Sequence, residues 1–115
     1  MRVEYRAPDP SCNPYLAFSV MLAAGFKGIE NEYPVPPTAE GNVFAMTSEE
    51  RQAKGIKPLP GSLGEALTLA EGSELLRETL GEHIVQSVIQ NKAMEWGDYR
   101  ATVTDYETSR YLPIL

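Results

Sequence analysis

Arg2, Glu4 and Arg6 stand at alternate positions in the segment R-V-E-Y-R. Side chains two residues apart on a strand share a face. The spacing therefore gathers a carboxylate and two guanidiniums, each about 7 Å from the next. A carboxylate takes a hard divalent cation, and guanidiniums clamp phosphate or carboxylate oxygens and neutralise charge in phosphoryl transfer. The same three residues would also build a salt-bridge ladder on the wet face of a sheet, where alternating charge is common. Val3 and Tyr5 would then face the other way, into a core.

The elements around this triplet are helical. Residues 2–6 read as one short strand from their period-two alternation. A-P-D-P-S-C-N-P follows, with three prolines, and excludes both helix and central strand. Asn13 before Pro14 is a helix start, cap then first turn. The helix over about 14–30 is apolar on nearly every side, which predicts a buried helix. Gly25 and Gly28 would let another backbone come close. N-E-Y-P-V-P-P-T-A-E-G-N is a proline-rich loop. Thr47 with Glu50, and Ser62 with Glu65, have capping-box spacing and open helices reaching about Lys54 and Glu71. Ser73 caps another that stops at Gly81. From about Glu82 runs one long helical stretch, or two joined near Gly97. Val85, Val88, Ile89, Trp96, Tyr99, Val103 and Tyr106 form its apolar stripe, and Pro113 ends it. The fold class is mainly α with one short N-terminal strand. A lone strand leaves its N–H and C=O groups without a partner, so the segment belongs with something larger.

Composition narrows the function classes. The 115 residues make one domain at most and carry a net charge of −6. Nucleic acid and anionic membranes need a clustered positive field, and here the cations are scattered among acids. The apolar run Y-L-A-F-S-V-M-L-A-A-G-F is shorter than the ~20 residues that span a bilayer. With no basic leader and a single cysteine, a reducing cytoplasm is the expected compartment. Cys12 has no base beside it and reads as a small buried hydrophobe. Asp9, between two prolines, reads as a turn former, and His83 as a helix-start or core-edge residue. Trp96, Tyr99 and Tyr106 read as core or interface aromatics, and Lys27, Arg51, Lys54 and Lys57 as solvated faces.

Longer motifs carry a resemblance. R-V-E-Y-R, P-D-P, N-P-Y-L and A-G-F-K-G-I follow one another here. In that order they resemble the pattern R-[IV]-E-x-R, P-D-P, N-P-Y-L, A-G-[LF]-x-G-I of the bacterial and archaeal dodecameric glutamine synthetases. N-V-F-A-M-T-S-E-E-R, L-P-G-S-L-G-E-A-L, E-T-L-G-E-H-I, N-K-A-M-E-W-G-D-Y-R and R-Y-L-P-I-L extend it over the whole chain. The resemblance implies that residues 1–115 are the C-terminal portion of that α+β catalytic domain. It implies an enzyme that makes glutamine from glutamate, ammonia and ATP through a glutamyl phosphate, with magnesium or manganese. Glu4 would be a metal ligand. Arg2 would contact nucleotide phosphate. Arg6 would meet the transferring phosphoryl group and the glutamate carboxylate. The remaining ligands, the neighbouring strands and the glutamate-binding loops would lie upstream, so the isolated chain would be inactive. His83, far from Glu4 in sequence, is not the family's metal-binding histidine. Phe44 stands where members regulated by adenylylation carry a tyrosine. Y-L-P-I-L would pack against the facing ring of a homo-oligomer, or dock on its own domain. The alternative is a stand-alone helical fragment that acts only in self-association or subunit contact.

Overall fold

The computed structural model describes residues 2 and 4–114. Among them the chain is helical: α1 Pro14–Glu30, α2 Ser48–Ala53, α3 Leu63–Glu71, α4 Glu74–Leu80, α5 Glu82–Ala101 and α6 Asp105–Tyr111. Short 3-10 turns cover Val43–Ala45 and Leu112–Ile114. No helix is long and apolar enough to cross a membrane among the described residues.

Local chemistry sets most boundaries. Asn13 Oδ1 accepts the N–H groups of Tyr15 and Leu16 at 3.0 and 3.4 Å, and Pro14 supplies a preset φ with no orphan donor. Thr47 and Glu50 close a reciprocal box: the Thr47 N–H donates to Glu50 Oε2 at 2.7 Å, and the Glu50 N–H donates to Thr47 Oγ1 at 3.2 Å. At α3 only half of that expectation holds. Ser62 Oγ accepts the Glu65 N–H, but the Glu65 carboxylate takes the Gly61 N–H at 2.8 Å. Ser73 caps α4 through the Leu76 N–H. Gly81 joins α4 to α5 at φ 78, ψ 153, a conformation open essentially to glycine alone.

α1 packs on α4, α4 on α5, and α3 on α5. The centre of this packing is Val85, the single buried hydrophobe among the described residues at 3% exposure. Around it Leu16, Val20, Leu76, Leu80 and Ile89 line a groove of about 690 Å³. Lys27 of α1 reaches Glu78 of α4 at 2.8 Å, so it is a helix-to-helix tie and not a solvated face. The hydrogen bond to Glu78 holds its ammonium above the usual lysine pKa. Arg51, also expected in solvent, donates to the Met46 carbonyl at 3.1 Å.

Several expectations are corrected. No strand occurs among the described residues, and Arg2, Glu4, Tyr5 and Arg6 lie in irregular backbone. Val3, in the middle of the expected strand, lies outside them. The physical reason is pairing: a strand needs a neighbour, and no other described segment provides one. α1 is not buried; none of its residues is, and Tyr15 and Phe18 are 82% and 68% exposed. Gly25 faces open space, and Gly28 meets only the Tyr33 ring, so neither receives a backbone. The close approach is at Gly64, where an added Cβ would stand 2.6 Å from Trp96 Nε1. Cys12 is exposed. α5 runs through Gly97 unbroken and stops at Thr102. There the β-branched run Thr102-Val103-Thr104 disfavours helix, and Thr104 opens α6 with a capping box to Glu107.

Candidate functional site: the Arg2–Glu4–Arg6 cluster

The sequence alternation brings the three charged side chains together even without a strand. Arg6 Nε donates to Glu4 Oε1 at 2.6 Å, and Arg2 Nη2 lies 3.7 Å from Glu4 Oε2. One carboxylate thus sits between two guanidiniums, and the cluster carries one net positive charge inside an acidic chain. The arginine side chains are 90% and 84% exposed. Ion pairs this exposed contribute little to stability, roughly 0–1 kcal/mol. Their remaining N–H donors are open to oxygen anions, in the fork geometry that suits phosphate and carboxylate.

A turn ties this segment to α1. The Asp9 carboxylate accepts the Ser11 N–H at 2.7 Å, and its carbonyl accepts the Cys12 N–H at 3.0 Å. Asp9 is the turn former its proline setting predicts. The turn leads directly into the Asn13 cap, so the charged cluster and α1 are separated by one short, hydrogen-bonded connection. A cleft of about 590 Å³ lies beside it, lined by Asp9, Cys12, Leu63, Lys92 and Glu95 among others. The charged triplet does not line that cleft.

Among the described residues no three His, Cys, Asp or Glu side chains come together as a metal-holding group. A magnesium-type ion prefers near-octahedral oxygen coordination, usually with one or two carboxylates and several waters or phosphate oxygens. Glu4 offers one carboxylate, and both of its oxygens face guanidiniums. These residues alone therefore do not make a metal centre. His83 is exposed on the first turn of α5, and its carbonyl accepts the Ser87 hydroxyl at 2.8 Å. Phe44 is 98% exposed in its 3-10 turn, with its N–H on Asn42 Oδ1.

The feature that the sequence did not reveal is at the far end of α5. Trp96 stacks on Tyr99 with ring centroids 5.8 Å apart, and the Arg100 guanidinium lies 5.8 Å over the Trp96 ring. Gly64 was the available signal, since a glycine inside a helix start often marks close approach, but nothing in the sequence points from it to Trp96.

The described residues thus comprise an irregular charged segment, a hydrogen-bonded turn and a helical body whose one buried hydrophobe is Val85. The family described as "Glutamine synthetase, catalytic domain" matches residues 1–111, and the chain belongs to that family. It is 52% identical over 113 residues to a glutamine synthetase of Mycolicibacterium smegmatis, covering 98% of this chain and 25% of the relative. Glutamine synthetases of Thermus thermophilus and Methanocaldococcus jannaschii are 50% and 48% identical over 111 residues, which is 96% of this chain. The chain spans about a quarter of the length of the curated relatives it matches.

Proposed function

We propose that this chain is the C-terminal portion of a glutamine synthetase catalytic domain and serves the ATP-dependent joining of ammonia to glutamate. In that reaction the glutamate side-chain carboxylate takes the γ-phosphoryl group of ATP, and ammonia then displaces phosphate from the acyl phosphate. The observation that carries the reading is the Arg2–Glu4–Arg6 cluster, placed within a chain that is half identical to glutamine synthetases over nearly all its length.

Arg2 holds nucleotide phosphate oxygens. Arg6 meets the transferring phosphoryl group and the glutamate carboxylate, offsetting charge that spreads over the equatorial oxygens. Glu4 would supply one oxygen ligand to a divalent cation, magnesium or manganese, whose other ligands would come from segments outside this chain. In the free chain the Glu4 carboxylate lies between both arginines, 2.6 Å from Arg6 Nε and 3.7 Å from Arg2 Nη2. The isolated chain accordingly makes no glutamine. Homo-oligomer contacts fall to α6 and the tail, where Tyr106, Leu112 and Ile114 are 68%, 66% and 76% exposed. The enzyme works in the cytoplasm, without nucleic acid or membrane. Phe44 has no hydroxyl, so adenylylation at that position does not regulate it.

The test is a chimera in which this chain replaces the matching segment of the Mycolicibacterium smegmatis relative. It should form glutamine, and Glu4→Gln or Arg6→Ala should lower kcat by about a hundredfold or more. The isolated chain should give only background in the γ-glutamyl transfer assay. Undiminished turnover in Glu4→Gln would remove Glu4 from the site.

A further inference from the structure

The ten lysines and arginines of this acidic chain fall into two sets. Arg2, Arg6, Lys27, Arg77 and Lys92 each meet a carboxylate. Arg51, Lys54, Lys57, Arg100 and Arg110 meet none among the described residues. Three of these five lie in the short run R-Q-A-K-G-I-K, through and just past the end of α2. The acids of the same helix stand at its other end. Glu49 and Glu50 are in the first turn, and the Glu50 carboxylate accepts the Thr47 N–H. Charge in this segment is sorted along the helix, not neutralised.

The sorted cations border a pocket. Ser48, Arg51, Gln52, Ile56, Lys57 and Pro58 bound about 440 Å³ of it. That volume is within the roughly 300–1,000 Å³ of small-molecule sites. Clefts elsewhere in the chain have Asp9, Glu30, Glu78 or Glu95 in their walls, whereas this one has no carboxylate. Its backbone is satisfied as well. The Gly55 N–H donates to the Gln52 carbonyl at 3.0 Å, and the Ile56 N–H to the Arg51 carbonyl at 2.9 Å. These paired bonds close the helix on a left-handed glycine, at φ 69. Two last-turn carbonyls that would repel an anion if bare are therefore taken. Arg51 is half-buried and held in place: its Nη1 donates to the Met46 carbonyl at 3.1 Å, and its Nη2 lies 3.5 Å from Ser48 Oγ. At least three of the five guanidinium donors stay open. The Ser48 hydroxyl and the Gln52 amide add neutral donors, and Ile56 and Pro58 add an apolar wall.

Two cations, neutral donors and an apolar wall without an acid suit one class of ligand. A phosphate monoester carries about −1.5 to −2 charge at pH 7 and three acceptor oxygens, so it balances both cations where a carboxylate balances one. We infer that this pocket binds a small phosphate monoester, with its oxygens on Arg51 and Lys57 and its organic body against Ile56 and Pro58. None of Arg2, Glu4 and Arg6 lines the pocket, so the site stands independently of the catalytic reading.

The test is amine footprinting by mass spectrometry, with phenyl phosphate as probe at constant ionic strength. N-hydroxysuccinimidyl acetate labels Lys57, which lines the pocket, and Lys54, which does not. Phenyl phosphate at about ten times its Kd should slow Lys57 roughly tenfold, because only the unliganded fraction reacts, and leave Lys54 unchanged. Inorganic phosphate should protect only at higher concentration, and benzoate should not protect. Equal slowing of Lys54, or equal protection by benzoate, would mean an adventitious ion only and overturn the site. Equal potency of inorganic phosphate would overturn the ester. Arg51→Ala should abolish the protection, although it also releases the Met46 carbonyl. Ser48→Glu avoids that loss: an acid in the first turn favours the helix, while its carboxylate joins the pocket wall. Protection of Lys57 that survives Ser48→Glu would overturn the site. The chimera and the 115-residue chain are both measured, since the bonds that shape the pocket lie within residues 46–56. Protection in both, or in the chimera alone, upholds the site. Its absence from the chimera overturns it.

Discussion

Gly64 is where a single hydrogen atom decides the packing of two helices. Its missing Cβ leaves room for the Trp96 ring, which Tyr99 and Arg100 hold from the side. Gly64→Ala would gain helix propensity, at most about 1 kcal/mol and less in the first turn. It would also force the ring outward, because the new carbon would lie well inside contact distance. Overpacking of this kind costs about 1–3 kcal/mol, so loss wins. Trp96 is the only tryptophan. Its emission should shift to the red in Gly64→Ala and acrylamide should quench it more strongly; an unchanged spectrum would mean the ring yields without cost. At this scale the sequence was informative wherever a residue acts on its neighbours. Asn13, Thr47, Ser62 and Ser73 all cap the helices their spacing predicts. The Gly64–Trp96 contact joins distant residues, so no local pattern announces it. The charged triplet was legible for the opposite reason. Alternation alone brings Arg2 and Arg6 to Glu4, whether or not a strand forms.

Between elements, the boundary of α5 and α6 shows propensity at work. The stretch was expected as one helix or as two joined near Gly97; it is two, but Gly97 lies inside α5, where one glycine costs about 1 kcal/mol and the rest of the helix tolerates it. Three consecutive β-branched residues and a cap at Thr104 end the helix instead. The Glu107 carboxylate accepts the Thr104 N–H at 2.8 Å and the Thr104 hydroxyl at 2.9 Å. These bonds, the backbone one first, hold its pKa below the usual glutamate value. A folded value below the unfolded one means the box stabilises α6 fully above the unfolded pKa of about 4.3 and is lost as pH falls through the lower folded value. Acidification through that window should therefore release the first turn of α6, seen by NMR as a lower protection factor for the Thr104 amide, the N–H that the carboxylate accepts. Glu107→Gln keeps an acceptor without the charge and should flatten that pH dependence. If the protection of the Thr104 amide follows pH equally in the variant, the box is not the cause. The other element-scale surprise, an exposed α1, follows from the same separation of local from distant information. Apolar residues all round a helix state that it must be covered, but not which segment covers it.

For the molecule as a whole, what matters is how little it encloses. Only Val85 is buried among the described hydrophobes, and α2, α4 and α6 have six or seven residues each, too short to persist without tertiary support. α1 and α5, with 17 and 20 residues, are long enough to keep partial helix on their own. Cooperative unfolding needs a core whose loss is felt by every element at once, and a single valine is not such a core. A domain of ordinary compactness unfolds with about 0.7 kcal/mol of enthalpy per residue near 60 °C. The isolated chain should fall far short of that. Scanning calorimetry should show no sharp endotherm, while the helical signal in circular dichroism declines gradually with temperature. Joined to the remaining length of a family member, the same residues should melt within one cooperative transition, as expected once the exposed apolar side chains of α1 are covered. An endotherm of ordinary size from the chain alone would show that its elements find each other without a partner. The large exposed area would then belong to a stable shape and not to an interface awaiting its cover.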